Sequence, residues 1–479
     1  MAKTAILRSI TLASAAWLIV LAAPAAVVAQ QPATAPPGLE RAVNELRQLL
    51  EEQRKLLHDQ SVTIESQGRD IETLRRRLDA AGLPAAAATP PLLPQLTPGR
   101  EPIPEMPAQV VAGDFPRSIA IPGTDSAIRI GGQTRLMMVH SFGPLGSDDR
   151  FITSSIPVEG QQISGEDERV NYSAAASRFN LDLRSKARTG HRAFIESDFD
   201  GPNGTLRLRH AYMQTTRWLG GQTWSTFSDP EAEPIGIDFE GLNAISLFRQ
   251  PQLRFTLPLR STLNLALSAE NPAPSLTGAQ GVNTTPDFIA RVRWDSVKGP
   301  TLFNRAAHVQ AALLVRTLRG EVEGSPEVTL ATGGFGMNIS GVLIPRWDID
   351  DRVKFASNNG WGIGRYIGDL RSLGGQDGVY DPDTESLRSL PVSSAYIGYE
   401  RMWHPNFTTT FTYGVVNVNN LDIQTPDSLK RTQRSTINLT WSPFAETSLI
   451  AEFLAGTRVN KDGKSGRSRQ MQLGWLFRF

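Results

Sequence analysis

The chain contains no cysteine, which removes disulfide frameworks, Cys-based metal sites and thiol nucleophiles. Lysine is scarce too: of 49 basic residues, 8 are lysine and 41 arginine. Beyond the first thirty residues no apolar run approaches the roughly 20 residues that a membrane-spanning helix needs, and mean hydropathy is −0.24. That absence leaves one kind of membrane protein open. A barrel strand turns only alternate residues to lipid, so its hydropathy averages out. The six histidines (58, 140, 191, 210, 308 and 404) join no evident Ser/His/Asp group, which argues against the enzymes found among such barrels. His58 falls on a helical stretch, His404 in a turn, and His210 on the apolar side of its strand pattern with Leu206, Leu208 and Tyr212. No cofactor and no metal site are expected.

What is present is organised around the closing stretch from Ser468 to Phe479, SRQMQLGWLFRF. Met471, Leu473, Trp475, Phe477 and Phe479 alternate with Gln470, Gln472, Gly474, Leu476 and Arg478. Side chains on a strand point to opposite faces, so one face is wholly apolar and ends in aromatics. A barrel strand that faces lipid on one side and a polar lumen on the other has that arrangement.

The start of the chain reads as a secretory signal, residues 1–29. Lys3 and Arg8 are its charged region, Ile10 to Leu21 its apolar core, and Val27-Val28-Ala29 its cleavage site. A heptad pattern follows, giving a coiled coil over 38–82. Val43, Leu46, Leu50, Gln53, Leu57, Gln60, Ile64, Gln67, Ile71 and Leu74 form its seam, flanked by charged residues. Three glutamines at successive core positions fix register, but the heptads alone leave dimer and trimer both open. Residues 83–117 read as a linker. Nine prolines between Pro84 and Arg117 forbid helix and favour extended backbone.

From 118 to 479 the period is two. Sixteen runs alternate apolar with polar residues, the weakest of them at 217–225 and 351–358. The connections are short at one end. At the other they are long: 140–176, 200–204, 226–249, 271–286, 318–330, 359–391, 418–431 and 457–467. The expected fold is an all-β transmembrane barrel of about 16 antiparallel strands, preceded by the coiled coil and the Pro-rich linker.

The polar faces of these runs are rich in arginine: Arg129, Arg135, Arg178, Arg184, Arg207, Arg209, Arg254, Arg291, Arg293, Arg316, Arg352, Arg434 and Arg469, with Lys186 and Lys354. Planar guanidinium groups suit carboxylates and phosphates, and rings of them favour anions in a pore. Some must pair within the wall, with Arg291 or Arg293 meeting Asp287 or Asp295. The connection 226–249 carries Asp229, Glu231, Glu233, Asp238 and Glu240. Folded inward, it would narrow the pore and set Arg249 and Arg254 at the constriction. As a surface loop it would do neither.

The runs LRHAY (Leu208 to Tyr212), GQTWSTF (Gly221 to Phe227) and RQPQLRFT (Arg249 to Thr256), behind a signal peptide and a coiled coil, resemble the DcaP-like outer-membrane porin family. The resemblance implies a trimeric sixteen-stranded porin in the outer membrane of a Gram-negative bacterium. Its coiled coil would stand in the periplasm, and small anions such as dicarboxylates would pass. It brings no nucleic acid as partner, only lipid, solute and further copies of the chain. A phosphate-selective porin uses the same arginine chemistry. An envelope tether, its coil touching peptidoglycan or a periplasmic partner, would need the barrel only as an anchor.

Overall fold

The computed structural model describes residues 113–161, 168–185, 190–296, 307–345 and 351–479. The signal peptide, the coiled-coil seam and most of the linker lie outside them. Each of the sixteen alternating runs forms a strand of one antiparallel barrel. In chain order these are β1 (Ser126–Ser141), β2 (Arg169–Ser173 with Arg178–Ser185), β3 (Arg192–Asp198), β4 (Arg207–Gln214), β5 (Trp218–Trp224), β6 (Arg249–Arg260), β7 (Leu263–Glu270) and β8 (Asp287–Asp295). They continue as β9 (His308–Val322), β10 (Ser325–Leu343), β11 (Arg352–Trp361), β12 (Pro391–His404), β13 (Phe407–Val418), β14 (Leu429–Phe444), β15 (Thr447–Asn460) and β16 (Ser465–Arg478).

The closing strand shuts the barrel. Strand β16 pairs with β15 on one side and with β1 on the other, from Gln133↔Arg478 to Ser141↔Gln470. Closure leaves no unpaired edge, which a lipid environment would not tolerate. The alternation sets the two faces as expected. Leu473, Trp475, Phe477 and Phe479 face out, while Gln470 and Gln472 are fully buried within. Trp218, Trp294, Trp403, Trp441 and Phe444 are exposed near the same end as Phe477, an aromatic girdle at one interface. A guanidinium in the apolar band costs roughly 2–4 kcal/mol near the bilayer midplane. Leu473→Arg should therefore lower the unfolding free energy in lipid by about that amount, measured by urea titration. A loss below about 0.5 kcal/mol would place Leu473 away from lipid.

Two strands depart from plain alternation. Strand β2 is interrupted at 174–177, where the Ser177 hydroxyl accepts the Arg135 backbone N–H at 3.0 Å in place of a ladder bond. Strand β4 carries a bulge. Ser197 pairs with Leu208 and Glu196 with His210, so Arg209 has no opposite residue. The extra residue reverses the phase. His210 and Tyr212, expected on the apolar side, therefore point into the barrel, and Met213 is exposed instead.

Two of the expected long loops are strand. Glu323 and Gly324 alone join β9 to β10, Gly324 taking φ +84°, and only 461–464 join β15 to β16. Ladder bonds continue where apolar side chains stop, so the alternation fades before the strand does. The connections 225–248 and 362–390, by contrast, turn inward. Phe227, Leu242, Ile245, Ile363, Tyr366, Ile367 and Leu370 pack there with Leu314, Tyr396 and Val416 of the inner wall. An apolar core inside the barrel thus fixes both loops.

Candidate functional site

The 225–248 loop crosses the lumen by attaching its polar groups to the wall from β9 to β16. The Asp229 carboxylate lies 2.9 Å from the His308 ring and accepts the Ser340 hydroxyl at 2.8 Å. Burial opposes its charge, but the hydrogen bonds from His308 and Ser340 prevail and hold its carboxyl below the usual range. Backbone N–H groups of Ile235 and Ile237 donate to Glu400 and Glu452, each at 2.8 Å. Asp238 meets Arg434 at 2.8 Å, both side chains almost wholly buried, and also accepts the Phe151 N–H and the Gln472 amide. Ile237 fills a pocket of Met137, Val139, Ile450 and Leu476, a burial that stabilises the loop by about 1.5–3 kcal/mol.

This docking commits Asp229 and Asp238 to the far wall and leaves a cavity of about 780 Å³ that reaches β1, β2, β4 and β6. Nine arginines line it (135, 150, 178, 207, 209, 249, 371, 434 and 478) with four acids (Glu233, Asp238, Glu240 and Glu452). Their pairing separates the arginines into two kinds. Arg207 and Arg209 share Asp198, at 2.7 and 2.6 Å, and Arg150 holds Asp149 and Asp200. Arg434 is committed to Asp238. Arg135, Arg178 and Arg249 meet no carboxylate among the described residues. Nε of Arg135, Nε of Arg178 and Nη1 of Arg249 are buried without a partner. Aromatic faces support two of them: Arg249 lies 4.5 Å from the Trp224 ring and Arg135 5.8 Å from Phe239.

The remaining basic positions of the polar faces lie elsewhere. Arg129 and Arg184 converge on Asp182 with Arg192, and Phe115 of the linker end stacks on Arg184 at 4.4 Å. Arg254, Arg291 and Arg293 line a second cavity of about 460 Å³. Within it Arg293 binds Glu231 at 2.7 Å and Asp295 at 2.8 Å, while Arg291 pairs with neither Asp287 nor Asp295. Arg316 is shut away from the lumen, holding Asp287 and Asp377 with its side chain fully buried. Lys354 serves the loop anchor, through Glu400 and the Glu233 carbonyl. Arg352 is exposed at the turn end of β11, Arg469 is on the outer face of β16 because Ser468 and Gln470 take the inner one, and Lys186 lies outside the described residues.

Sequence reading did not single out Arg150 and Arg371, which sit in loops where no period marks a face. Arg371 belongs to a short helix, α1 (Gly368–Leu373), held by the bonds Gly368 N–H to Ile245 carbonyl and Asp369 N–H to Asn243 carbonyl. Asp369 is buried there, one carboxylate oxygen without a partner. Burial raises its carboxyl from 3.8 to about 6, although Thr432 and Arg434 oppose the rise. An acid that binds its proton more tightly in place than released favours docking below the released value and loses that contribution as pH climbs through 6. Loop flicker in single-channel records should therefore increase between about pH 4.5 and pH 7 and then level off. Asp369→Asn should flatten the profile, and an unaltered profile in that variant would remove Asp369 as its cause.

A protein-family model described as DcaP outer membrane protein matches residues 118–478. Among solved structures the outer-membrane channel DcaP of Acinetobacter baumannii is 22% identical, with a TM-score of 0.66 over 77% of this chain and 100% of that one. An anion-selective porin from Comamonas acidovorans is 12% identical, with a TM-score of 0.49 over 74% of this chain and 100% of that one. No curated protein matches in sequence.

Proposed function

We propose, from the premise that the chain belongs to the DcaP outer membrane protein family, that this outer-membrane channel prefers anions and admits small organic acids, dicarboxylates among them. The observation that carries the proposal is the trio of arginines without a carboxylate partner, Arg135, Arg178 and Arg249, facing the lumen cavity while Asp229 and Asp238 of the loop are bound to the opposite wall, which leaves Glu233 as the loop acid beside the trio. An entering anion finds guanidinium donors already desolvated and uncommitted, whereas a cation meets few free carboxylates. A diacid suits the assignment because each of its carboxylates is a ligand for a guanidinium group. Phosphate can use the same donors, one group at a time.

The loop end is assigned to the cell exterior and the turn end, where both barrel termini lie, to the periplasm. Residues 38–82 are read as a periplasmic self-association segment and the protein as a trimer, which the mass of the detergent-solubilised full chain tests. A monomeric mass would refute it.

Reversal potential in a planar bilayer under a salt gradient tests the central reading. The sign should be that of an anion-selective pore, with current blocked by a dicarboxylate at lower concentration than by phosphate. Cation selectivity would mean that the acids of 226–249 govern the constriction.

A further inference from the structure

The second cavity, about 460 Å³, lies toward the turn end and is not part of the arginine trio's site, though Trp224 and Pro230 line both. Two of its cations meet no carboxylate among the described residues. Arg291 has its Nε buried without a partner, and Arg254 bonds only to the Gln252 side chain and the Trp224 carbonyl. Two loop acids lie near them, and both are engaged: Glu231 by Arg293 at 2.7 Å, and Asp229 by His308 at 2.9 Å with Arg293 at 3.9 Å.

Beside these cations stands an acceptor with nothing to accept. Gln310 is 1% exposed. Its amide N–H donates to the Ser228 carbonyl at 3.2 Å, which fixes the direction of the amide and leaves Oε1 buried with no partner. A buried acceptor left unsatisfied is costly, and a ligand donor would relieve that cost. Arginine donors cannot be matched by a hydroxyl alone, nor a glutamine oxygen by a carboxylate. A molecule carrying both groups satisfies both.

We propose that this cavity is a second station in the pore, selective for hydroxylated organic acids. Arg254 and Arg291 bind the carboxylate and Gln310 Oε1 accepts the hydroxyl proton. The proposal rests on the anion-channel reading and deepens it. A site that is built to hydrogen-bond a hydroxyl discriminates against the analogue lacking it, because its own polar group is then left unpaired.

The full chain in planar bilayers, with malate, succinate and sulfate as blockers, tests it. Malate should block at about five- to tenfold lower concentration than succinate. Gln310→Met should bring the two together and leave sulfate block unchanged, while Arg291→Met should weaken block by all three. Equal block by malate and succinate in the unaltered channel would overturn the station, as would a malate advantage that survives in Gln310→Met. If sulfate block also shifts in that variant, the Ser228 contact has moved the loop and Arg291→Met decides. A malate advantage undiminished there overturns the station. A cation-selective unaltered channel would instead refute the anion reading beneath it.

Discussion

Replacing Arg135, Arg178 and Arg249 together by methionine should remove most of the channel's preference for anions. At a separation of 4 Å a unit charge is worth about 1 kcal/mol in bulk water and about 4 kcal/mol near a protein surface. Loss of three uncommitted charges should therefore lower the anion-to-cation permeability ratio by about tenfold or more. Of the other arginines of the cavity, Arg150, Arg207, Arg209 and Arg434 are already committed to acids, while Arg371 and Arg478 donate to the Leu247 carbonyl and the Ser448 hydroxyl and remain in the triple variant. Arg129→Met with Arg184→Met is the control. Both sit at Asp182, where Arg192 remains as partner at 2.7 Å, so selectivity should change little. Reversal potentials measured side by side decide between the two. An equal loss in the control would mean that total lumen charge, not the unpaired trio, sets selectivity.

Arg434→Met should release the inward loop and widen the pore. Its guanidinium holds Asp238 and also donates to the carbonyls of Phe151 and Gly241, so one side chain ties two loops to β14. Removing one partner of a buried ion pair leaves the other uncompensated, at a cost of roughly 3–5 kcal/mol. That exceeds what the burial of Ile237 contributes, about 1.5–3 kcal/mol. Asp238 would regain water by leaving the wall. Single-channel conductance should then rise severalfold, while the barrel itself, held by its closed ladder, melts near the unaltered temperature. Unchanged conductance would show that the apolar core around Phe227 and Tyr366 holds the loop without the ion pair. Lower conductance would show that the loop collapses inward instead.

How far the sequence reaches can be judged from β16. Its alternation requires two unlike environments on two sides of a strand, and the terminal aromatics say which side meets lipid. The same logic located every wall strand, including the weak runs at 217–225 and 351–358, because period two is a local property of the backbone. It failed at β4, where the bulge at Arg209 is set by pairing with β3, a register that no single strand contains. His210 and Tyr212 changed face for that reason alone. It also failed beyond the apolar band, where β9 and β10 continue as a ladder of polar residues that need no lipid-facing pattern.

The sequence by itself determined that this chain closes a barrel with an arginine-rich interior, since both follow from residue type and spacing along single strands. Only the tertiary structure decided which arginines remain free. Arg135 and Arg434 look alike in sequence, each on a polar strand face. One meets Asp238 because the 225–248 loop crosses the lumen to β14, and the other does not. Pairing depends on distances of a few ångströms between segments far apart in the chain, and the apolar core that sets those distances forms only when the loops fold inward.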